Sequence, residues 1–321
     1  MPSWFMLLTT VLIALPATAF AQPDETPDEE LRGWENATEL SLVRTGGNAE
    51  TQTLGFSNTL RGTWPAGRVR IRFDGVRSRT ADDRFLVLEP GLRFPPGALP
   101  DGARTTMIQP PAGADVEQYF VEGRFDREIS DRFLWHAGWS WDRNTDAGIL
   151  NRRIAFGGVG NVWAEGEDLA WSTSYGFSFT DREEPDPDPA KDDRFGGVRI
   201  NGDYMQRFGS VTSVDGDVTM NVSLTDSSDY SLNAASAIGL AMSEHLSLRV
   251  SVQWLYENEP ALEDLVVVAQ VALLDPDGVP GSGDELFETV AGGGVEIDLG
   301  TGRIRRDRLD TILRTALVIS F

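Results

Sequence analysis

From Trp34 onward, apolar and polar residues alternate with a period of two, over stretches longer than most soluble sheets use. TLGFSNTLRGTW puts Leu54, Phe56, Leu60 and Trp64 on one face of an extended strand, with Thr53, Gly55, Ser57, Thr59 and Arg61 on the other. GRVRIRFDG sets Val69, Ile71 and Phe73 against Arg68, Arg70, Arg72 and Asp74. FLWHAGWSWD sets Phe133, Trp135, Trp139 and Trp141 against His136, Ser140 and Asp142. LAWSTSYGFSF lines up Leu169, Trp171, Tyr175, Phe177 and Phe179, and HLSLRVSVQWLYE lines up Leu246, Leu248, Val250, Val252, Trp254 and Tyr256. A globular strand usually runs about five or six residues, whereas a tilted strand needs about nine to eleven to cross a bilayer. The polar faces carry Gly, Ser, Thr, Asn and mixed Arg and Asp, which suits the wet or polar-filled interior of a closed barrel.

The competing reading is a soluble periplasmic β-sandwich or binding module, whose strands also alternate but bury the apolar face against a second sheet. The connections discriminate. Strands are expected near 34–44, 50–64, 67–79, 115–127, 132–143, 153–164, 168–180, 195–207, 211–224, 229–242, 245–257 and 309–321. Every second connection is tight: Pro65-Ala66, Ile129 to Asp131, Glu165 to Glu167, Phe208 to Ser210 and Ser243-Glu244. The others are mostly longer and more polar, above all 80–114 and 258–308. Short turns alternating with long loops on an even strand count define an outer-membrane barrel layout. The fold expected is therefore all-β, an antiparallel transmembrane β-barrel of about twelve strands over 34–321. Fourteen is the alternative, because LVVVAQVALL and LFETVAGGGVEI could be either a hairpin rising above the membrane or two further crossings.

The chain ends agree. MPSWFMLLTTVLIALPATAFA has an apolar run from Phe5 to Leu15 and the small-residue pattern Ala19-Phe20-Ala21, and reads as a signal peptide at 1–21 cleaved before Gln22. An acidic leader follows at 22–33. Export targets the cell outer membrane, with lipid and lipopolysaccharide as surroundings. The chain has no cysteine, so its stability must come from burial or closure rather than a disulfide framework. A net charge of −22 argues against nucleic acid, which needs a basic face. The last strand carries Leu313, Leu317, Ile319 and a terminal Phe321, and looks like the signal read by the outer-membrane insertion machinery.

Several motifs resemble one family. They are Gly33-Trp34 opening the first strand, Arg44-Thr45-Gly46-Gly47-Asn48-Ala49-Glu50 at its hairpin, and Asp142-Arg143 before Asn151-Arg152-Arg153 and Gly157 to Gly160. Tyr256-Glu257-Asn258-Glu259-Pro260 and the closing Leu309-Asp310-Thr311 to Phe321 complete the set. Their order and spacing are similar to the YdiY-like salt-induced outer-membrane proteins along nearly all of the mature chain. The resemblance implies an outer-membrane barrel of unassigned molecular role. The segments Arg84 to Asp115 and Ala261 to Arg308 are longer than the family's usual form.

Two uses of the inward face follow. Arg61, Arg68, Arg70 and Arg72 form a dense basic cluster beside Asp74, and a two-residue turn at 65–66 sets Arg61 opposite Arg70 and Thr59 opposite Arg72. Such a cluster is either an anion-attracting constriction of a narrow pore or part of an ionic network with Glu122, Asp126, Asp203, Asp215 or Asp217 that stiffens the barrel. The network is the reading favoured by a barrel of this size, acting as a narrow pore or as a structural protein of the stressed envelope. A barrel enzyme built on His136 is the alternative. Its inward direction, beside Ser140, is a poor match to a lipid-attacking site, so no catalytic residue is expected. Asp275, Asp277, Asp284 and Glu285 are weak candidates for divalent cations, because their spacing completes no calcium loop. No cofactor is expected, and the barrel is read as a monomer.

Overall fold

The computed structural model describes residues 33–46, 51–65, 67–79, 85–95, 104–108, 115–145, 147–166, 168–274, 286–291 and 294–320. The expected signal peptide, nearly all of the leader, the acidic candidates Asp275, Asp277, Asp284 and Glu285, and Phe321 lie outside the described residues. The chain runs through β1 (Gly33–Gly46), β2 (Thr51–Trp64), β3 (Gly67–Arg79), β4 (Phe85–Leu88), β5 (Arg93–Phe94) and β6 (Thr105–Ile108). It continues through β7 (Asp115–Ser130), β8 (Phe133–Asn144), β9 (Ile149–Glu165), β10 (Leu169–Glu183), β11 (Arg194–Phe208) and β12 (Thr212–Ser223). The last six are β13 (Tyr230–Ala241), β14 (Leu246–Glu257), β15 (Leu262–Leu274), β16 (Leu286–Thr289), β17 (Val295–Arg305) and β18 (Leu309–Ser320).

Twelve of these strands close into a barrel in the order β1-β18-β14-β13-β12-β11-β10-β9-β8-β7-β3-β2. The barrel strands are neighbours in chain order, so the sheet is an up-and-down meander, and β1 pairs with β18 from Ala37 opposite Ser320 to Gly46 opposite Thr311 to close it. Strand number is therefore twelve and not fourteen. Closure also excludes the sandwich, since the apolar faces have no second sheet to cover them. Leu40, Leu54, Phe56, Phe133, Trp139, Tyr175, Phe177 and Ile319 are all exposed, while inward residues of the same strands such as Ser41, Ser57, His136, Ser140, Ser174 and Val318 are buried. A continuous greasy exterior on a sheet without edges fits a hydrocarbon surround and no aqueous one.

Aromatic pairs mark the short-turn end. Trp34 meets Trp64 edge-on at 5.6 Å, Phe125 meets Trp135 at 5.4 Å and Trp163 meets Trp171 at 5.7 Å. Indoles collect at the headgroup level because each joins an apolar body to one N–H donor, and the Trp163 Nε1 spends its hydrogen on Thr173 Oγ1 at 2.9 Å. Trp171, Trp254 and Trp135 are exposed, while Trp141 and Tyr256 are half-buried toward the other rim. Trp34 and Trp163 extend the belt beyond the residues expected, because their strands alternate with small or polar outward neighbours that dilute the apolar signal. In β18 the outward Leu317 and Ile319 are exposed.

The two long insertions do not remain loops. β4, β5 and β6 from the first and β15, β16 and β17 from the second make one six-stranded sheet. β4 pairs with β15 in parallel, Val266 opposite Phe85, so the sheet needs both insertions. Its core is Leu86, Leu88, Phe94, Leu265, Val267, Ala269 and Val271. On its outer edge Arg303 grips Asp264 through two hydrogen bonds of 2.7 and 2.9 Å, and this holds the carboxyl below the usual carboxylate range. This unit and the barrel are separate compact bodies.

One packing feature positions the lumen. Gly158 on β9 faces Gly176 on β10, and a Cβ on either would come within 2.2 or 2.1 Å of a backbone carbonyl oxygen of the other strand. Only hydrogen fits there. The adjacent volume inside the barrel is filled instead by Phe156, with the Arg199 guanidinium over its ring at 4.2 Å and His136 beside it at 6.1 Å.

Two outcomes are expected. Purified protein should migrate differently on gels before and after boiling; identical migration, with solubility free of detergent, would remove the closed barrel. Gly176→Val should destabilise the barrel by about 1–3 kcal/mol through overpacking against backbone, read as a lower temperature for the gel-mobility transition, and an unchanged transition would contradict the β9–β10 approach.

Candidate functional site: a divided lumen

Inward positions on the barrel strands are rich in charge, and the register decides who meets whom. β2 and β3 pair with Arg61 opposite Arg70 and Thr59 opposite Arg72, so the arginines do crowd together. Arg70 reaches Glu122 on β7 at 3.1 Å and Asp203 on β11 at 3.7 Å. Glu122 also takes Arg199 at 3.4 Å. Arg72 and Arg314 share Asp74, at 2.6 and 3.4 Å, which ties β3 to β18. Arg249 bridges Glu39 at 3.1 Å and Asp215, and Arg124 binds Asp126 at 2.7 Å. Arg68 stands nearer the short-turn rim, half-exposed, with Glu165 at 3.3 Å and Glu128 at 3.8 Å. Arg61 has no ion pair among the described residues. Arg124, Arg199, Arg249 and Arg314 complete the set. Arg124, Arg249 and Arg314 are each the one arginine on the polar phase of their strands, Arg199 shares its phase with Arg207, and only the closed register shows that they join the cluster.

The pairs Arg70–Asp203 and Arg199–Glu122 span strands that are not neighbours, and the charged layer divides the lumen. A cavity of about 740 Å³ reaches toward the short turns, past Thr63, Arg68 and Arg207, and one of about 160 Å³ reaches toward the long-loop rim, past Asn144, Ala147 and Pro260. Both share a wall of Arg70, Arg72, Asp74, Asp203, Asp217, Gln253 and Arg314. The larger chamber carries eight arginines and seven carboxylates, so neither sign dominates. A single-sign ring, which sets ion selectivity in pores, is therefore absent from this layer.

At the long-loop rim the barrel is braced by further ion pairs. Arg152 binds Asp142 at 3.1 Å and Glu257 at 2.5 Å. Arg182 on β10 binds Asp229 at 2.7 Å, and Lys191 binds Glu184 at 2.7 Å and donates to the Glu259 carbonyl at 2.9 Å. These contacts knit the 184–193, 224–229 and 258–261 connections into one lip.

His136 is 2% exposed, and neither ring nitrogen has a hydrogen-bond partner. Ser140, two inward positions along β8, is equally buried. A nucleophile–base pair needs a hydrogen bond between its members, and His136 makes none. No group of three or more His, Cys, Asp or Glu among the described residues has the arrangement of a metal site.

Solved structures that align with the chain include two porins and an outer-membrane protein. The NanC porin aligns at 10% identity over 88% of this chain and 98% of its own, with a TM-score of 0.44. The anion-selective porin from Comamonas acidovorans aligns at 9% identity over 90% and 99%, TM-score 0.35. OmpT of Vibrio cholerae aligns at 11% over 90% and 97%, TM-score 0.34. No curated protein matches the chain. The family model described as "Protein of unknown function, DUF481" matches residues 38–266, and the chain belongs to that family.

Proposed function

We propose that this outer-membrane barrel is a narrow pore for small polar solutes, held in a low-conducting state by the ion-pair layer across its lumen. The observation that carries the reading is the pair of chambers meeting at one wall of Arg70, Arg72, Asp74, Asp203, Asp217, Gln253 and Arg314. Each chamber approaches one end of the barrel, and only side chains separate them. Side chains in a lumen can rearrange where strands cannot, so the layer is the natural place for a solute path to open. The balance of charge in the layer argues against strong preference for anions or cations. A purely structural barrel in the stressed envelope is the second reading, favoured by the number of pairs that span the lumen and brace opposite walls.

The non-catalytic reading of His136 rests on its buried, partnerless ring. A polar group buried without a partner costs free energy, so an apolar side chain of similar size should do as well there.

In a planar bilayer, refolded protein should give small conductance steps with little ion selectivity, and Arg72→Ala with Asp74→Ala should enlarge them several-fold by joining the chambers. Silence in both proteins would remove the pore and leave the structural barrel. His136→Leu should keep the wild-type gel transition or raise it, by up to about 1 kcal/mol in stability, with conductance unchanged. Loss of conductance in a well-folded His136→Leu barrel would give the histidine a working role after all.

A further inference from the structure

The smaller chamber has a wall chemistry unlike that of the larger one. Six primary amides line it: Gln118, Asn144, Asn201, Asn221, Asn233 and Gln253. Four strands in succession, β11 to β14, bring Asn201, Asn221, Asn233 and Gln253 together with the hydroxyls of Thr219 and Ser231. The register makes this one patch, with Asn201 opposite Thr219, Thr219 opposite Asn233, and Asn221 opposite Ser231. Its apolar lining is Ala147, Ile149 and Ile154 around the start of β9, together with Leu255 opposite Asn233 and Ile312 opposite Gln253 at the edge of the patch.

The amide carbonyls on the polar wall are already occupied. Asn233 Oδ1 accepts from Gln253 Nε2 at 2.9 Å, Asn221 Oδ1 from Arg199 at 3.4 Å, and Asn201 Oδ1 from Arg199 at 3.3 Å. The amide nitrogens of Asn221 and Asn233 have no acceptor among the described residues, so each retains two N–H donors at the cavity wall. On β7 the situation is inverted. Gln118 is 9% exposed, donates to Asn144 Oδ1 at 3.4 Å, and its Oε1 is buried without a donor. Unspent donors on one side and an unspent acceptor on the other call for a ligand that can do both. The seven arginines of the chamber are matched by eight carboxylates, with Arg152 paired to Asp142 and Glu257, Arg72 and Arg314 sharing Asp74, and Arg70 and Arg199 sharing Glu122.

We infer that the smaller chamber is a binding site for one neutral, hydroxyl-rich solute of monosaccharide size. Its volume of about 160 Å³ is the share of about five waters. Hydroxyls both donate and accept, which matches Asn221, Asn233 and Gln118, and C–H groups match the apolar side chains of Ile149, Ile154, Leu255 and Ile312. An ionic solute would instead leave its charge facing side chains already paired with one another. The inference deepens the pore reading, since it names the solute class at the long-loop mouth, but occupancy of the chamber does not require that the lumen conduct.

The test is isothermal titration of the full chain, refolded in detergent and checked by gel mobility, with D-glucose as probe and with acetate, phosphate and cyclohexanol as comparators. D-Glucose should bind saturably and each comparator should bind at least about ten-fold more weakly. Asn221→Leu with Asn233→Leu should weaken glucose by at least about ten-fold, as expected for the loss of two hydrogen bonds. Gln118→Leu should weaken it in the same direction, and Phe177→Leu on the lipid face should leave it unchanged. No saturable glucose binding, binding untouched in the double and Gln118→Leu variants, or phosphate or acetate binding as tightly as glucose would each overturn the inference. A barrel that binds glucose yet stays silent in a bilayer would refute the pore and keep the site. One that conducts without binding glucose would do the reverse.

Discussion

Inside hydrocarbon there is no water to satisfy a backbone N–H or C=O, and everything else in this structure depends on that constraint. A sheet meets it only by closing on itself. Here closure is the pairing of β1 with β18, the first and last barrel strands, over ten residue pairs. Once the ring is closed, the pleat sends each residue either to lipid or to the lumen, with no intermediate choice. Exposed Phe177 and buried Ser178 are neighbours on one strand for that reason. The many exposed aromatic and aliphatic side chains, a liability in a soluble protein, become the surface that holds the barrel in place.

The lumen must then do what a hydrophobic core does elsewhere, without being hydrophobic. Twelve strands enclose more room than side chains of ordinary size fill, and the chain fills part of it with Phe156, Leu134, His136 and Arg199 on the β7–β11 side. The rest is spanned by ion pairs. Arg314 and Asp74 join the two sides of the β1–β2 hairpin, and Arg70 reaches Glu122 and Asp203 from the same region. Such pairs recover little more than the cost of dehydrating their charges, so their value lies in geometry more than in stability. They hold walls of the barrel at a set separation and cut the interior into two chambers, both of mixed charge, of which the smaller also carries six amides. The chain's large negative charge is not concentrated here. The larger chamber holds nearly equal numbers of each sign.

Much of the barrel was legible because its determinants are local. Alternation is a property of consecutive residues, and the expected strands match the observed ones within a few positions: 67–79 for β3, and 245–257 against Leu246–Glu257 for β14. The meeting of Arg61 with Arg70 was legible for a related reason, since a two-residue turn leaves the register of a hairpin no freedom. Trp163 was harder to see, because its outward neighbours Gly157 and Asn161 break the apolar rhythm. The 262–305 segment carried a strand-like pattern that period alone could not assign to the barrel or to a separate sheet. Its true partners, β4 in parallel and β16 and β17 antiparallel, include a strand nearly two hundred residues earlier.

The sequence by itself determined the class of fold, the facing of the most regularly alternating strands and the crowding of arginines on β2 and β3. It could do so because pleat and turn act over a handful of residues. Which carboxylate answers which arginine, where the lumen divides, and which amides share a chamber were decided only by closure. Asp74 and Arg314 lie 240 residues apart, and the closure that brings them together joins strands further apart still, Ala37 opposite Ser320. A period-two pattern specifies a direction, inward or outward; depth and neighbour across a lumen come from the tilt and register of the whole ring, which no single segment contains.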